Sequence, residues 1–168
     1  PFCIVAYGKL GSRELGFGSD LDLVFVSEAF DDAAKTSGPK SIYIPQFFAR
    51  IGQRLVHIIS TRTAAGRCYE IDMRLRPSGE SGPLVTTIRR MPAYLREKAW
   101  TWEHQALVRA RVISGDKALE KKFNALREEI LMRPRDEENL QDDIVKMREK
   151  MRSAKISLHS GKFDLKQG

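Results

Sequence analysis

The chain has 168 residues, of which 42% are hydrophobic and 30% charged, a composition typical of a globular protein that can bury one core. No apolar run approaches the roughly 20 residues that a membrane-spanning helix needs. No signal segment opens the chain either, so we expect a cytoplasmic protein without a membrane partner. The net charge of +7 comes from residues 50–111, where 12 Lys and Arg stand against 5 Asp and Glu. This surplus suits either phosphate binding or an ordinary solvated surface.

The first half of the chain alternates between apolar runs and glycine-rich or polar segments. The runs at 2–7 and 20–26 predict two strands. Between them, residues 8–18 predict a glycine-rich loop with one helical turn at 13–15. A polar loop is expected at 31–43.

A helix is predicted next, because apolar residues recur every three or four positions from Phe47 to Ile58. We expect it to end at Gly66 and to be followed by strands at 69–75 and 84–88.

The second half has a helical pattern. One or two helices are predicted over 92–112, with Trp100 and Trp102 in the core. An amphipathic helix follows Asp116, and another follows Pro134. The expected class is therefore α+β, a small mixed sheet with helices followed by a helical segment.

The ends and the cysteines also carry information. The chain begins with Pro1, and residues 163–166 resemble a strand that begins and is cut, so we expect a piece of a longer protein. Cys3 and Cys68 lack the spacing of a zinc or redox motif, which predicts two buried free thiols rather than a disulfide or a zinc site.

Two carboxylates one residue apart are the most informative feature. Asp20 and Asp22 lie on a predicted strand, so their side chains point to the same face. Acids on a buried strand are costly unless a cation lies on them, and Mg²⁺ prefers such oxygen ligands. Asp72 is a third acid on a later predicted strand, and three such carboxylates can hold two metal ions.

An Asp-x-Asp pair alone does not specify a nucleotide site. It is common in solvated loops and at helix caps, and glycosyltransferases use it to hold a metal and a sugar nucleotide. An EF-hand is disfavoured, because the third acid and the loop glycine are missing. The glycine spacing does not match the dinucleotide fingerprint, and no Walker lysine follows.

Residues around the acids are candidates for phosphate binding. Gly11 and Ser12 predict a tight turn whose N–H groups and hydroxyl can cradle phosphates. Lys9 and Arg13 flank this turn. Arg74 and Arg76 follow Asp72 at strand spacing, where they either contact phosphates or form surface salt bridges. The complete candidate set is Gly11, Ser12, Lys9, Arg13, Arg74 and Arg76, beside the acids Asp20, Asp22 and Asp72.

Gly-Ser, Asp-x-Asp and a later strand acid together resemble the nucleotidyltransferases of the DNA polymerase β type. Four segments narrow the resemblance to the glutamine synthetase adenylyltransferase/adenylyl-removing enzyme family. They are Ala-Tyr-Gly-Lys-Leu-Gly-Ser-Arg-Glu-Leu at 6–15, Ser-Asp-Leu-Asp-Leu at 19–23, Asp-Met-Arg-Leu-Arg-Pro-Ser-Gly at 72–79 and Ala-Trp-Thr-Trp-Glu-His-Gln-Ala-Leu at 99–107.

The resemblance implies a DNA polymerase β-like fold, with a catalytic core at 1–113 and a truncated helical extension at 114–168. It implies an enzyme that uses two Mg²⁺ ions and ATP as substrate. Asp20, Asp22 and Asp72 would be the catalytic and metal-binding acids. Gly11 and Ser12 would hold the outer phosphates.

Family members contain two such domains, one attaching AMP to a tyrosine of glutamine synthetase and one removing it by phosphorolysis. The segments at 72–79 and 99–107 look more like the C-terminal, AMP-attaching domain. Implied partners are therefore glutamine synthetase and, through other parts of the full-length protein, the PII signalling protein. Removal of AMP, or a non-catalytic regulatory module, are the alternatives. A nucleic-acid partner is not expected, because no basic block or DNA-contacting hairpin is present.

Overall fold

The structure of the protein, a computed structural model, describes residues 1–64, 66–135 and 137–158. These residues form seven strands, six α-helices and one short 3₁₀ helix at Gly79–Ser81. The strands are β1 (Phe2–Ala6), β2 (Leu21–Ser27), β3 (Arg62–Thr63), β4 (Gly66–Arg67), β5 (Ile71–Asp72), β6 (Val85–Thr87) and β7 (Arg111–Gly115). The helices are α1 (Gly8–Gly11), α2 (Ile44–Ser60), α3 (Met91–Glu97), α4 (Thr101–Leu107), α5 (Lys117–Leu131) and α6 (Glu137–Leu158).

A small mixed sheet has the strand order β5-β2-β1-β7, and β6 pairs with the later part of β2. β1 is antiparallel to both of its neighbours, β2 and β7. β5 and β6 run parallel to β2. β3 and β4 pair with each other outside this sheet. The parallel pairing of β2 with β5 matters most for function, because it carries two of the acids.

Alternating apolar side chains give β1 and β2 two buried faces, which different helices cover. On one face, Cys3 and Val24 belong to a core cluster that includes residues of α3, α4 and α5, with Phe123 fully buried. On the other face, Ala6 and Leu23 belong to a second cluster, against which Leu55, Val56 and Ile59 of α2 pack.

Helix α5 forms where the sequence predicts it. Its apolar residues recur with helical spacing and all four are buried: Leu119, Phe123, Leu126 and Ile130. Asp116 caps the helix, since its Oδ1 accepts a hydrogen bond from the Leu119 N–H at 2.9 Å.

The chain divides into two compact units, Pro1–Arg133 and Pro134–Gly168. The first unit contains the sheet and α1 to α5, and the second is described as helix α6. The catalytic core at 1–113 is a functional boundary and stays a prediction. The predicted strand at 163–166 lies outside the described residues. Among those residues, no helix is both long and apolar enough to cross a membrane.

Three predicted elements in the first half are shifted or shortened. The helical turn expected at 13–15 lies at Gly8–Gly11, and Arg13 instead adopts a left-handed φ of 64°. Helix α2 ends at Ser60, and the strands β3 and β4 follow it as an antiparallel pair. The strand expected at 69–75 is reduced to Ile71–Asp72, since turns begin directly after it. Asp20 immediately precedes β2 rather than lying within it.

The helical prediction for 92–112 is wrong about the last residues of the segment and about the burial of its two tryptophans. Helix α4 ends at Leu107, and Arg111–Gly115 forms the edge strand β7. Trp100 precedes α4 and is 70% exposed, and Trp102 is 38% exposed. The helix instead turns Glu103 and Leu107, four residues apart, into the core.

The capping role of Asp116 gives a test of this packing. We expect Asp116→Ala to lower the free energy of unfolding by about 1 kcal/mol, because the Leu119 N–H loses its acceptor at the helix start. Asp116→Asn keeps an acceptor oxygen and should lower the free energy of unfolding by only about a few tenths of a kcal/mol. Denaturant unfolding of the three proteins measures the difference. Equal losses for Ala and Asn would contradict the capping role.

Candidate active site

Three carboxylates meet at one end of the sheet. Asp22 of β2 and Asp72 of β5 are direct partners in the parallel ladder, and Asp20 precedes β2. One oxygen from each acid lies within 4.8 Å of the other two. Asp22 and Asp72 are half-buried and Asp20 is exposed. The structure thus brings the three predicted acids together with the spacing of a possible divalent-cation site.

The raised pKa of Asp22 reflects its burial and the crowding of the three acids. Burial raises the pKa of the Asp22 carboxyl, and the negative charges of Asp20 and Asp72 raise it further, while Arg74 acts in the opposite direction. A cation among the three acids would remove this repulsion. The donor set, three carboxylates without nitrogen or sulfur, suits a hard ion such as Mg²⁺.

Asp72 is held differently, by Arg74. The Arg74 Nε donates to both carboxylate oxygens, at 3.0 and 2.8 Å, and its backbone N–H donates to Oδ1 at 2.8 Å. A guanidinium NH₂ group of Arg74 also pairs with Oδ2. These hydrogen bonds lower the pKa of Asp72 despite its burial. Asp72 is therefore ionised and oriented by a residue only two positions further along the chain.

The turn after β1 contacts the acids through a glycine. Gly8 has φ +51°, and a Cβ built on it would lie 2.2 Å from Asp22 Oδ2. Only a residue without a side chain lets the Asp22 carboxylate approach helix α1 so closely. Gly8 was not among the predicted site residues, although it lies in the same glycine-rich segment.

Gly11 and Ser12 have local structural partners. Gly11 is buried, and a Cβ on it would lie 1.9 Å from the Arg109 carbonyl oxygen, so the absence of a side chain permits this packing. The Ser12 hydroxyl lies 3.1 Å from the Gly8 carbonyl oxygen and 2.8 Å from Glu14 Oε2, both of which are acceptors. The contacts of these two residues with phosphate stay predictions.

The four predicted basic residues lie in two regions, one beside α1 and one after β5. Lys9 is exposed and its Nζ lies 3.5 Å from Ser19 Oγ, directly beside Asp20; Arg13 is also exposed. Arg74 and Arg76 follow β5 in a turn rather than on a strand, which corrects the predicted spacing. Arg76 holds this turn, since its guanidinium donates to the Met73 carbonyl at 2.8 Å and to the Glu80 carbonyl at 3.3 Å.

An open groove of about 560 Å³ runs along Asp20 and Asp72. It is lined by both carboxylates and guanidinium groups, so it offers cation-binding and anion-binding groups side by side. The lining residues are Asp20, Glu70, Ile71, Asp72, Met73, Arg74, Arg76 and Glu80.

Arg111 supports the site, and the sequence patterns did not indicate it. Its Nε donates to the Gly11 carbonyl at 3.0 Å, and its NH₂ donates to the Leu10 carbonyl at 3.1 Å. These bonds tie the end of α1 to the edge strand β7. The β-branched pair that follows Arg111, with Gly115 at the end, is the signal that could have indicated this strand.

The contact between Gly8 and Asp22 can be tested by metal binding alone. We expect Gly8→Ala to weaken Mn²⁺ binding about tenfold or more, because the new methyl group displaces the Asp22 carboxylate. Isothermal titration calorimetry measures this affinity. Gly38→Ala is the control, since a Cβ there meets no atom within 4 Å. Unchanged Mn²⁺ affinity in Gly8→Ala would refute the role of Gly8.

Comparison with known proteins identifies the family. The model of the family described as GlnE, glutamate-ammonia ligase adenylyltransferase, matches residues 1–126. The chain is 51% identical over 166 residues to the bifunctional glutamine synthetase adenylyltransferase/adenylyl-removing enzyme of Idiomarina loihiensis, covering 99% of this chain and 17% of that protein.

Two further relatives have the same name and similar coverage. The protein of Shewanella loihica is 49% identical over 170 residues, 99% of this chain and 18% of that protein. The protein of Thioalkalivibrio sulfidiphilus is 49% identical over 166 residues, 99% of this chain and 17% of that protein. The chain thus spans less than a fifth of the length of these curated relatives. Because the family model covers most of the chain, the chain belongs to the glutamate-ammonia ligase adenylyltransferase family.

Proposed function

We propose that this chain carries a nucleotidyl-transfer site that attaches AMP from ATP to a tyrosine of glutamine synthetase and releases pyrophosphate. The observation that carries the proposal is the convergence of Asp20, Asp22 and Asp72 beside the turn at Gly8–Gly11. The names of the relatives supply the acceptor protein and the transferred group.

A DNA polymerase β-like fold is part of this proposal. Support comes from the mixed sheet, in which Asp22 and Asp72 lie on adjacent parallel strands and Asp20 directly precedes the first of them. A short helix with a Gly-Ser end precedes the first acid and packs against Asp22. The catalytic core of the proposed enzyme is 1–113, and residues 114–168 extend it.

Asp20, Asp22 and Asp72 would hold two Mg²⁺ ions. When bound, these ions would neutralise phosphate charge and lower the pKa of the attacking hydroxyl. The all-oxygen donor set and the mutual repulsion at Asp22 support this choice of ion. Asp72, kept ionised by Arg74, is the acid best suited to orient the acceptor tyrosine.

Basic groups on the two sides of the acids would position ATP. Lys9 and Arg13 are exposed beside the α1 turn. Gly11 and Ser12 would contact the outer phosphates only after a local change, since their N–H groups donate to the Tyr7 and Gly8 carbonyls. Arg74 and Arg76 line the groove with Asp20 and Asp72. Positioning and charge neutralisation supply most of the catalysis in such transfers.

We assign the chain to the C-terminal, AMP-attaching half of the family proteins, on the basis of the segments at 72–79 and 99–107. Phosphorolytic removal of AMP, which gives ADP, is the second candidate, favoured by the bifunctional name of the relatives. A silent regulatory module is disfavoured, because such a module needs no cluster of three acids. Contact with a PII protein would involve other parts of the full-length protein.

The acids are tested by transfer of label from α-labelled ATP to unmodified glutamine synthetase, with Mg²⁺ and the full-length protein that carries this chain. We expect Asp20→Asn and Asp72→Asn each to lower the rate by about a hundredfold or more, because a ligand and a charge are lost together. Asp32→Asn is the matched control, since Asp32 forms a surface pair with Arg90. Full activity in folded Asp20→Asn and Asp72→Asn proteins would refute the proposal.

The direction of the reaction needs a separate experiment. AMP-modified glutamine synthetase is incubated with phosphate, and ADP formation is measured in the same variants. If the chain belongs to the AMP-attaching half, Asp72→Asn abolishes attachment and leaves ADP formation intact. Loss of ADP formation with intact attachment would assign the chain to the AMP-removing half.

A further inference from the structure

A buried carboxylate lies in helix α4, a segment that the proposed reaction does not use. Glu103 is 8% exposed. Its Oε2 accepts a hydrogen bond from the Trp100 N–H at 2.9 Å, which caps the start of α4. Its Oε1 accepts a second hydrogen bond, from the Tyr94 hydroxyl of α3 at 2.7 Å, which capping does not require.

The second partner, Tyr94, leads to the turn that follows Asp72. Tyr94 and Leu75 are half-buried and pack against the same core cluster. Burial raises the pKa of the Tyr94 hydroxyl, and a hydrogen bond from the Ser78 backbone opposes this rise. Ser78 has a left-handed φ of 64°, a conformation that a non-glycine residue adopts only when its surroundings hold it. Tyr94 is therefore placed to hold the turn that carries Arg74 and Arg76.

Helix α4 is fixed well enough to act as the link. The His104 ring lies 2.6 Å from the Leu95 carbonyl, which joins α4 to α3. Arg127 of α5 donates to the carbonyls of Leu107 and Val108, each at 2.7 Å. Glu103 thus connects a braced helix to Tyr94, which packs against the same core cluster as Leu75 of the turn after Asp72.

We propose that Glu103 is a positioning residue, which holds the turn after Asp72 in place through the hydroxyl of Tyr94. Its effect on catalysis depends on the proposed adenylyl transfer, whereas its effect on this turn does not. The quantity that Glu103 controls is the position of the turn that carries Arg74, the residue that orients Asp72.

The test uses Glu103→Gln and Tyr94→Phe in the full-length protein, with two readouts. We expect each variant to weaken Mn²⁺ binding about threefold to tenfold, because the turn that holds Arg74 against Asp72 is loosened. We expect kcat for AMP transfer to fall about tenfold with KM for ATP little changed, since misalignment acts on the transition state. The double variant should be no worse than the worse single variant.

Glu129→Gln is the matched control. Glu129 also joins two helices, since it accepts hydrogen bonds from Arg96 of α3 at 2.8 and 2.7 Å, but at the surface. It should leave Mn²⁺ affinity and kcat unchanged. If Glu103→Gln does not fold, Tyr94→Phe still decides, because its smaller change removes only a hydroxyl.

The outcomes separate the two proposals. Normal Mn²⁺ affinity and normal kcat in folded Glu103→Gln and Tyr94→Phe would overturn the positioning role and leave the proposed function standing. Absence of transfer by the unmodified protein in either direction would overturn the proposed function, and Mn²⁺ affinity would still decide the role of Glu103. Equal losses in Glu129→Gln would also overturn the positioning role.

Discussion

The structure depends on one constraint, the close approach of like charges at the paired ends of β2 and β5. The ladder places Asp22 directly beside Asp72, and Asp20 adds a third carboxylate at the strand entrance. Nothing in the packing of β2 requires an acid here, because the strand is filled with apolar residues from Leu23 to Val26. The arrangement raises the energy of the folded protein unless a cation offsets the repulsion, which is the usual sign of a functional site.

The protein handles these charges unequally. Asp72 receives a guanidinium and a backbone N–H from Arg74, so its charge is compensated within the chain. Asp22 is half-buried beside Gly8 at the start of α1 and has two acidic neighbours. Its pKa is raised because burial and the charges of Asp20 and Asp72 both disfavour the ionised form. A divalent cation would therefore gain most of its binding energy from Asp20 and Asp22, the less compensated pair. Arg74, 72% exposed, can turn toward an anion in the groove without a large loss of packing.

Local pattern was enough to predict the parts of the fold that short-range physics decides. The apolar run of β2 and the helical spacing of α5 are visible in short stretches of consecutive residues. The acids could be recognised for the same reason, because the spacing of two residues that puts side chains on one face of a strand is also a local pattern. What failed depended on distant contacts. Residues 111–115 become a strand because β1 offers an unpaired edge. The stretch 69–75 is cut to Ile71–Asp72 because Arg76 closes a turn onto Met73. The roles of Gly8 and Arg111 exist only through neighbours 14 and about 100 positions away.

The tryptophan-rich segment shows how a conspicuous pattern can mislead. Large aromatic residues attract a core assignment, yet Trp100 lies mostly in solvent while Glu103 is buried. The reason is geometric: α4 is two turns long, so only one stripe, Glu103 and Leu107, can face the sheet. A carboxylate in that stripe is tolerated because Tyr94 and Trp100 supply hydrogen bonds to both oxygens. A leucine at this position would pack well but would leave the Tyr94 hydroxyl without its acceptor. The buried acid therefore exchanges packing stability for two hydrogen bonds, one that caps α4 and one that joins α4 to Tyr94 of α3.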